Sequence, residues 1–219
     1  VTGTAAAPVK KALKTRVEGT VMKVDLASPL APGQTAVLEV AWSFLVPEHG
    51  ADRMGREGSL YEFAQWYPRL AVYDDVRGWN TEPYLGQGEF YLEYGDFTLA
   101  LTVPTGYVMM ATGELQNPAE VLTPASIARL AQAARSDTTI HIVTEAELKS
   151  GAARPKSGTG TLTWKFHAKN VRDAVWVASP EYLWDASSWQ GHMAHALYRP
   201  SAIATWKDAA DMARMSIME

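Results

Sequence analysis

Cysteine is absent from the 219 residues of this chain. Its absence excludes disulfide bonds, thiolate nucleophiles and zinc sites built from cysteine. It does not distinguish a cytosolic protein from a periplasmic one. The fold must therefore be stabilised by a hydrophobic core, and an apolar content of 47% is sufficient to form one.

Excess charge of one sign and long apolar runs are also absent. The formal net charge is −4 and the isoelectric point is about 5.8, so the chain offers no basic face that would neutralise nucleic-acid phosphates. No apolar run reaches the roughly 18 residues that a membrane-spanning helix needs, and the first residues do not have the layout of a signal peptide. We expect a soluble protein that binds no nucleic acid and does not span a membrane. The sequence does not assign its compartment.

Several catalytic motifs are missing as well. The sequence has no G-x-S-x-G elbow, no P-loop and no complete G-x-G-x-x-G, which argues against a serine hydrolase and a nucleotide-binding protein. His192 and His195 have the i, i+3 spacing that could place two imidazoles on one metal, but zinc needs a third protein ligand. Two surface histidines are the simpler interpretation. We predict no catalytic residue and no metal ligand in this chain.

Most of the chain has the pattern of short β-strands separated by turns. Leu99, Leu101 and Val103 alternate with small or polar residues, which predicts a strand with one core face. β-Branched and aromatic residues bounded by glycine and proline recur along the chain, as in antiparallel sheets. The predicted fold class is mostly β, an antiparallel curved sheet or sandwich. The predicted strands are residues 14–26, 36–46, 60–67, 70–76, 88–103, 107–114, 138–143, 162–166 and 174–178, with a hairpin between the first two and a flexible loop at 49–59.

One or two short helices and a C-terminal helix are expected beside the strands. Thr123 and Pro124 are typical of a helix start, with a hydroxyl N-cap and proline at the first helical position. Residues 144–149 fit a brief capped helical turn, and residues 206–218 fit a helix with methionines along one stripe. The composition changes after Asp185. We therefore predict a β domain over residues 1–185 and, over residues 186–219, a linker and first helix leading into a further, missing domain.

Aromatic residues are concentrated between residues 65 and 115. Aromatic side chains on strands are more often core residues than ligand contacts, because each buries a large apolar area. Exposed, coplanar rings would instead form a stacking platform for sugars. A free-standing carbohydrate- or protein-binding β-sandwich is therefore the alternative function. The rings concerned are Trp66, Tyr67, Trp79, Tyr84, Phe90, Tyr91 and Tyr94.

Four short motifs follow one another in the same block. They are Tyr67-Pro68-Arg69, Tyr73-Asp74-Asp75, a long strand at residues 97–104 ending in proline, and Ala111-Thr112-Gly113-Glu114. In this order they resemble the amino-terminal β domain of aminopeptidase N-like zinc metallopeptidases, the gluzincins, in a bacterial branch. That family has an F-P-x-x-D turn after an arginine-containing strand, then a long strand, then an A-x-G/N-x strand. Residues 164–166, 170–173, 175–179 and 198–200 extend the resemblance, which covers about residues 20–219.

The resemblance implies a parent enzyme that releases amino-terminal residues from peptides, using zinc bound by an HExxH helix and a distant glutamate. None of the five histidines lies in such a motif. The chain alone is therefore expected to be inactive and to hold no cofactor, while zinc is implied for the missing catalytic domain. Its role would be to scaffold and wall the active-site cleft. The expected partners are that catalytic domain and, through the parent enzyme, the peptide substrate.

In many members of the family, a glutamate or glutamine of this domain binds the free amino group of the substrate. Counting back from Tyr67 and Pro68 places that position near Ser59, which has no carboxylate, and Glu62 and Gln65 are the nearest candidates. Both are predicted as substrate-binding residues. The surface that meets the missing domain should be apolar, so the isolated chain is a candidate homodimer.

Overall fold

The structure is a computed structural model that describes residues 10–50, 53–83, 86, 90–153 and 160–219. The fold is mostly β, with antiparallel sheets, a few short helices and a C-terminal helix, as the sequence predicts. The chain divides into two compact units. The smaller unit comprises residues 1–43 and 68–93, and the larger unit comprises residues 44–67 and 94–219.

The elements are numbered in chain order. The strands are β1 (Lys14–Glu18), β2 (Val21–Asp25), β3 (Met54–Glu57), β4 (Leu60–Phe63), β5 (Tyr73–Asp74), β6 (Gly78–Trp79), β7 (Gly95–Pro104), β8 (Val108–Ala111), β9 (Glu114–Leu115), β10 (Ile140–Val143), β11 (Thr161–Val171), β12 (Trp176–Ser179), β13 (Leu183–Trp189) and β14 (His192–Tyr198). The helices are α1 (Pro118–Val121), α2 (Pro124–Ala133), α3 (Glu145–Ser150), α4 (Ile203–Trp206) and α5 (Ala209–Met218).

The smaller unit contains two two-stranded sheets, β1–β2 and β5–β6. The predicted single strand at residues 14–26 is wrong, because Gly19 turns the chain back on itself at φ +59°. A left-handed φ costs glycine little, so this local hairpin closes more easily than a pairing with a distant segment. The predicted strand at 36–46 and its hairpin with the first strand are therefore also wrong. Residues 36–46 belong to no strand of the described chain.

The larger unit contains three antiparallel sheets, with strand orders β3-β4-β12-β8, β7-β11-β9 and β10-β13-β14. β3 lies inside the predicted loop at residues 49–59, so that loop prediction is wrong over residues 54–57. Gly58, at φ +59°, connects β3 to β4 in a tight hairpin. The other predicted strands of this unit are confirmed with shifted ends. Of the predicted 88–103 strand, residues 95–103 lie in β7, residues 90–94 belong to no strand, and residues 88 and 89 lie outside the described residues.

The main hydrophobic core lies in the larger unit. Leu101 and Val103 are buried while Ala100 and Thr102 are exposed, which confirms the predicted alternation on β7. Indole and phenyl rings fill the centre of this core, because the largest fully buried side chains include Trp164, Trp184 and Phe166. No helix among the described residues is long and apolar enough to cross a bilayer.

The predicted starts of α2 and α3 are confirmed, whereas the helix predicted over residues 206–218 begins at Ala209. Thr123 accepts a hydrogen bond from the Ser126 backbone N–H at the start of α2, and Thr144 and Glu147 form a capping box at the start of α3. α5 packs against β13 and β14. The predicted boundary at residue 185 falls inside β13, and residues 192–198 form the edge strand of that sheet. The further domain after residue 219 stays a prediction.

Candidate functional site

The chain turns sharply after β4, at one of the two residues predicted to bind substrate. Gln65 has a left-handed backbone with φ +63°, which is uncommon for a residue other than glycine. Its side-chain amide Nε2 donates a hydrogen bond to Oδ2 of Asp173 at 3.2 Å. A strained backbone persists only where its surroundings fix it. Asp173 is one of the groups that hold Gln65 in place.

Asp173 lies between β11 and β12 and binds this corner through several hydrogen bonds. Its Oδ1 accepts from the hydroxyl of Tyr67 at 2.9 Å and from the backbone N–H of Ala174 at 2.8 Å. The indole Nε1 of Trp66 donates to the carbonyl of Ala174 at 3.0 Å. Three consecutive side chains, residues 65–67, are thus tied to residues 173–174.

Strand pairing explains why these distant segments meet. β4 and β12 are antiparallel neighbours in which Phe63 pairs with Trp176, so the residues after β4 and before β12 come together. The rings of Phe63 and Trp176 stack with centroids 4.2 Å apart. Trp66 lies edge-on to Trp176 at 6.3 Å. The apolar rings lower the dielectric around the corner and strengthen its polar contacts.

The side-chain carbonyl oxygen of Gln65, Oε1, differs from its amide nitrogen in its contacts with the described residues. A carboxylate only accepts hydrogen bonds, so the amide nitrogen must face Asp173 and Oε1 must face the other way. Oε1 is buried and has no hydrogen-bond partner among the described residues. A buried acceptor that stays unsatisfied costs about 1–3 kcal/mol. A hydrogen-bond donor that reached this oxygen would satisfy it, and the negative charge of Asp173 would favour a cationic donor.

Glu62, the other predicted substrate-binding residue, has a different environment. It is exposed on β4, where it pairs with Gly55 and Val177. Burial raises the pKa of Tyr182 above its ordinary value, and the Glu62 carboxylate raises that pKa further. Glu62 is thus an exposed carboxylate near Tyr182, whereas the side chain of Gln65 is hydrogen-bonded to Asp173.

The sequence did not single out Asp173 as a site residue, and it named Tyr67 only as one ring of the alternative sugar-stacking platform. Their separation along the chain, 106 residues, leaves no spacing signal. Both stand in segments that carry the family resemblance, and that is the signal by which they could have been chosen.

The two histidines of β14 do not form a metal site. Three residues apart on a strand, His192 and His195 point to opposite faces. His192 is exposed as predicted, but His195 is partly buried, and its Nδ1 accepts a hydrogen bond from Nε1 of Trp184 at 3.2 Å. The interpretation of His195 as a surface residue is therefore wrong. Among the described residues, no group of three His, Asp or Glu side chains could hold a metal ion.

The aromatic side chains of the 65–115 block are divided between interior and surface. Trp66, Tyr67 and Phe90 are partly buried, whereas Trp79 and Tyr91 are 55% and 50% exposed. Tyr84 lies outside the described residues. Trp79 meets Tyr73 edge-to-face at 71°, and the guanidinium of Arg172 covers the ring of Tyr94 at 4.7 Å. These contacts differ from a coplanar row of rings.

No protein-family model matches this chain, and comparison with curated proteins and with solved structures finds no significant similarity. Its function is therefore inferred from the sequence motifs and from the geometry of the Gln65 corner.

Proposed function

We propose that this chain is the non-catalytic amino-terminal domain of a zinc aminopeptidase, which scaffolds the enzyme and forms one wall of its active-site cleft. The observation that carries the proposal is the Gln65 carbonyl oxygen. This side-chain oxygen, Oε1, is buried and has no hydrogen-bond partner among the described residues. Gln65 itself directly precedes the Trp66-Tyr67-Pro68 stretch. The free amino group of a peptide is the kind of donor that such an acceptor requires.

The chemistry of the corner fits an ammonium group. An ammonium donates three hydrogen bonds and carries a positive charge. One N–H would donate to Oε1 of Gln65, while the Asp173 carboxylate behind the amide favours the positive charge. Gln65 would orient the substrate, and bond cleavage would belong to the zinc-containing domain. Glu62 is the second candidate for this role, since its carboxylate is exposed.

The C-terminal helix supports the presence of a further domain. α5 turns its small side to the sheet, where Ala210 is fully buried. Its large apolar side chains point outward, with Met212 60%, Met215 46% and Met218 46% exposed. Exposed large apolar side chains that are grouped on one side of a helix are typical of an interaction surface. In the proposed enzyme the catalytic domain covers the outer, methionine face.

The proposal is tested by turnover of an aminoacyl chromogenic substrate in the presence of zinc. The 219-residue chain is compared with one extended along the same gene by about 250 residues, the size of a large domain. Activity is expected only in the longer chain. Activity in the short chain, or none in either, would contradict the proposal.

Variants of the longer chain test the Gln65 corner. Gln65→Ala is expected to lower kcat/KM by about tenfold or more, because it removes a charge-assisted hydrogen bond to the substrate. Gln132→Ala, at an exposed position of α2, is the matched control and should leave kcat/KM unchanged. Glu62→Ala shows whether the amine is instead bound by the second candidate. Unchanged kcat/KM in both Gln65→Ala and Glu62→Ala would remove the amine-binding role from this domain.

The second candidate function is a carbohydrate- or protein-binding module. It is favoured by Trp79 and Tyr91, whose rings are exposed. Titration with oligosaccharides, followed by tryptophan fluorescence, tests it. Saturable quenching that disappears in Trp79→Ala would support this function, whereas an unchanged spectrum would count against sugar binding.

A further inference from the structure

A buried carboxylate on β13 holds an exposed imidazole on the neighbouring strand β10. Oδ1 of Asp185 lies 2.7 Å from Nδ1 of His141, whose side chain is largely open to solvent. A carboxylate only accepts hydrogen bonds, so Nδ1 of His141 carries the hydrogen and donates it. In the neutral ring the free lone pair therefore lies on Nε2. No described residue forms a hydrogen bond with this nitrogen.

Two features of the sheet fix the direction of this ring. β10 is an edge strand, and it has a β-bulge directly after His141, where two residues of β10 advance for one residue of β13. Bulges bend a strand and re-aim the side chains beside them. On the other side of Asp185, the hydroxyl of Tyr198 donates a hydrogen bond to Oδ2. The carboxylate is thus held by Tyr198, and the imidazole is held by the carboxylate.

This environment distinguishes His141 from the other histidines. Among the described residues, no other histidine forms an ion pair or a hydrogen bond with a carboxylate. His192 is also exposed, but no described residue holds its ring. Because an ion pair with one exposed partner adds little stability, it does little to offset the cost of burying Asp185. An orienting group behind an accessible side chain is instead typical of a functional site.

We propose that His141 is a nucleophile that accepts an acyl group on Nε2 from an activated ester or an anhydride, with Asp185 as its positioning residue. Nε2 forms a bond to the acyl carbon, and the bond from that carbon to the leaving oxygen breaks with its electron pair. The ring then carries the acyl group and the Nδ1 hydrogen together, and its positive charge faces the Asp185 carboxylate. Histidine is one of the side chains that form such covalent intermediates.

Water completes the reaction when the acyl donor is an aryl ester. It attacks the acyl carbon, the bond from Nε2 to that carbon breaks, and the electron pair returns to Nε2. The aryloxide that left in the first step takes up the released proton. The net reaction is hydrolysis of the ester to a carboxylic acid and a phenol, and it requires no other reactant. His141 should therefore give the chain a slow esterase activity.

This activity is separate from the proposed role in an aminopeptidase. An amide has a much poorer leaving group than an aryl ester, so His141 is not expected to cleave peptides or aminoacyl amides. The sequence predicts no catalytic residue, and the 44 residues between His141 and Asp185 leave no spacing signal for this pair. The experiments below need neither zinc nor a peptide substrate, so the two proposals fail independently.

Diethyl pyrocarbonate, an anhydride, measures the reactivity of each histidine in the 219-residue chain. The imidazole gains an ethoxycarbonyl group and loses one proton, and the remainder of the reagent leaves as ethanol and carbon dioxide. The chain is treated at about pH 8, at which free imidazole is neutral, and the modified peptides are quantified by mass spectrometry.

His141 is expected to react about tenfold faster than His192 in the same molecules, a ratio that corresponds to roughly 1.4 kcal/mol of transition-state stabilisation. The reason is that the Asp185 carboxylate faces the charge that develops on the His141 ring. Both histidines are exposed, so access alone would give similar rates. Equal rates, or a faster reaction at His192, would overturn the proposal.

Turnover of p-nitrophenyl acetate provides the second measurement. His141→Asn should abolish the release of p-nitrophenolate above the background in buffer, whereas His192→Asn, the matched control, should retain it. Turnover that survives in His141→Asn would overturn the proposal.

Asp185→Asn tests the positioning residue, because it keeps the size of the side chain and removes its charge. In this variant the rate of modification of His141 should fall to that of His192, while the rate at His192 stays as in the wild type and reports an intact sheet. An unchanged rate at His141 would overturn the role of Asp185. The comparison of the two histidines in the wild-type chain does not depend on how well this variant folds.

Discussion

Nδ1 of His141 lies 2.7 Å from Oδ1 of Asp185, a carboxylate that is only 2% exposed. The two residues face each other across β10 and β13. On the opposite side, the hydroxyl of Tyr198 donates to Oδ2 of Asp185 at 2.5 Å. Both oxygens of a buried carboxylate are thus satisfied by side chains from the two neighbouring strands. Burial, followed by the bond to Asp185, raises the pKa of Tyr198 above its ordinary value, so the phenol stays protonated and remains a donor.

The two partners of Asp185 should contribute unequally to stability. Tyr198→Phe leaves the buried Oδ2 without a donor and is expected to lower the free energy of unfolding by about 1–3 kcal/mol. His141→Ala should cost less than about 1 kcal/mol, because the His141 side chain is 65% exposed and water can replace it. Urea unfolding of both variants measures the difference. A larger loss from His141→Ala would mean that the imidazole, and not the phenol, stabilises the buried charge.

The burial of His195 should make the stability of the fold depend on pH. Burial lowers its pKa from 6.5 to about 4, so between these values the unfolded chain binds a proton that the folded chain does not. Protonation of His195 in the unfolded chain therefore lowers the free energy of unfolding as the pH falls from 6.5 towards 4, by about 3 kcal/mol in total. Above pH 6.5 this loss is absent.

His195→Asn retains an acceptor for Trp184 and removes the titration. Its free energy of unfolding should therefore decline less between pH 7 and pH 4 than that of the wild type, as measured by urea unfolding at a series of pH values. His192→Asn, exposed on the same strand, is the control and should follow the wild-type curve. Parallel curves for all three proteins would rule out this role of His195.

Gly113 should tolerate substitution less well than Gly191. Its φ is +99°, and a Cβ atom there would lie 2.5 Å from the backbone oxygen of His167. Gly113→Ala is expected to cost about 3 kcal/mol or more, through strain and the clash with a paired strand. Gly191→Ala, at φ +85° with no atom within 4 Å, should cost about 1 kcal/mol. Thermal unfolding compares them, and equal losses would show that β11 moves aside.

The two sides of α5 should respond differently to substitution. Ala210→Leu forces a large side chain against the sheet, where Ser187 donates a hydrogen bond to the Ala210 carbonyl, and should cost about 1–3 kcal/mol. Met212→Gln changes an exposed side chain and should stay within about 0.5 kcal/mol. Chemical denaturation of the 219-residue chain measures both. In the extended chain Met212→Gln should become destabilising, and no change there would place the further domain elsewhere.

The helix starts and the alternation of one strand, which are set by neighbouring residues, were predicted correctly. The start of α2 depends on Thr123 and Pro124, and the start of α3 on Thr144 and Glu147, so each signal lies within one helical turn. The core face of β7 follows from the alternation at Leu99, Leu101 and Val103. The fold class follows from many such short signals taken together.

Features that depend on which segment a strand pairs with, near or distant, were not predicted. The sequence shows that residues 14–26 favour strand, but it does not show that Gly19 closes a hairpin within that segment. It shows the strand propensity of residues 36–46, but not whether a strand is available to pair with them. Within the candidate site, Gln65 was identified from the motif that follows it, whereas Asp173 was not, because 108 residues separate them.

The hydrogen bond between Gln65 and Asp173 also has a consequence for the order of events during synthesis. Gln65 leaves the ribosome 108 residues before the carboxylate that holds it. At translation rates of about 5–20 residues per second, the left-handed turn after β4 lacks this support for several seconds. The corner can form only after β12 has been synthesised and has paired with β4. In a nascent chain that is paused before residue 173, Gln65 therefore lacks its hydrogen bond to Asp173.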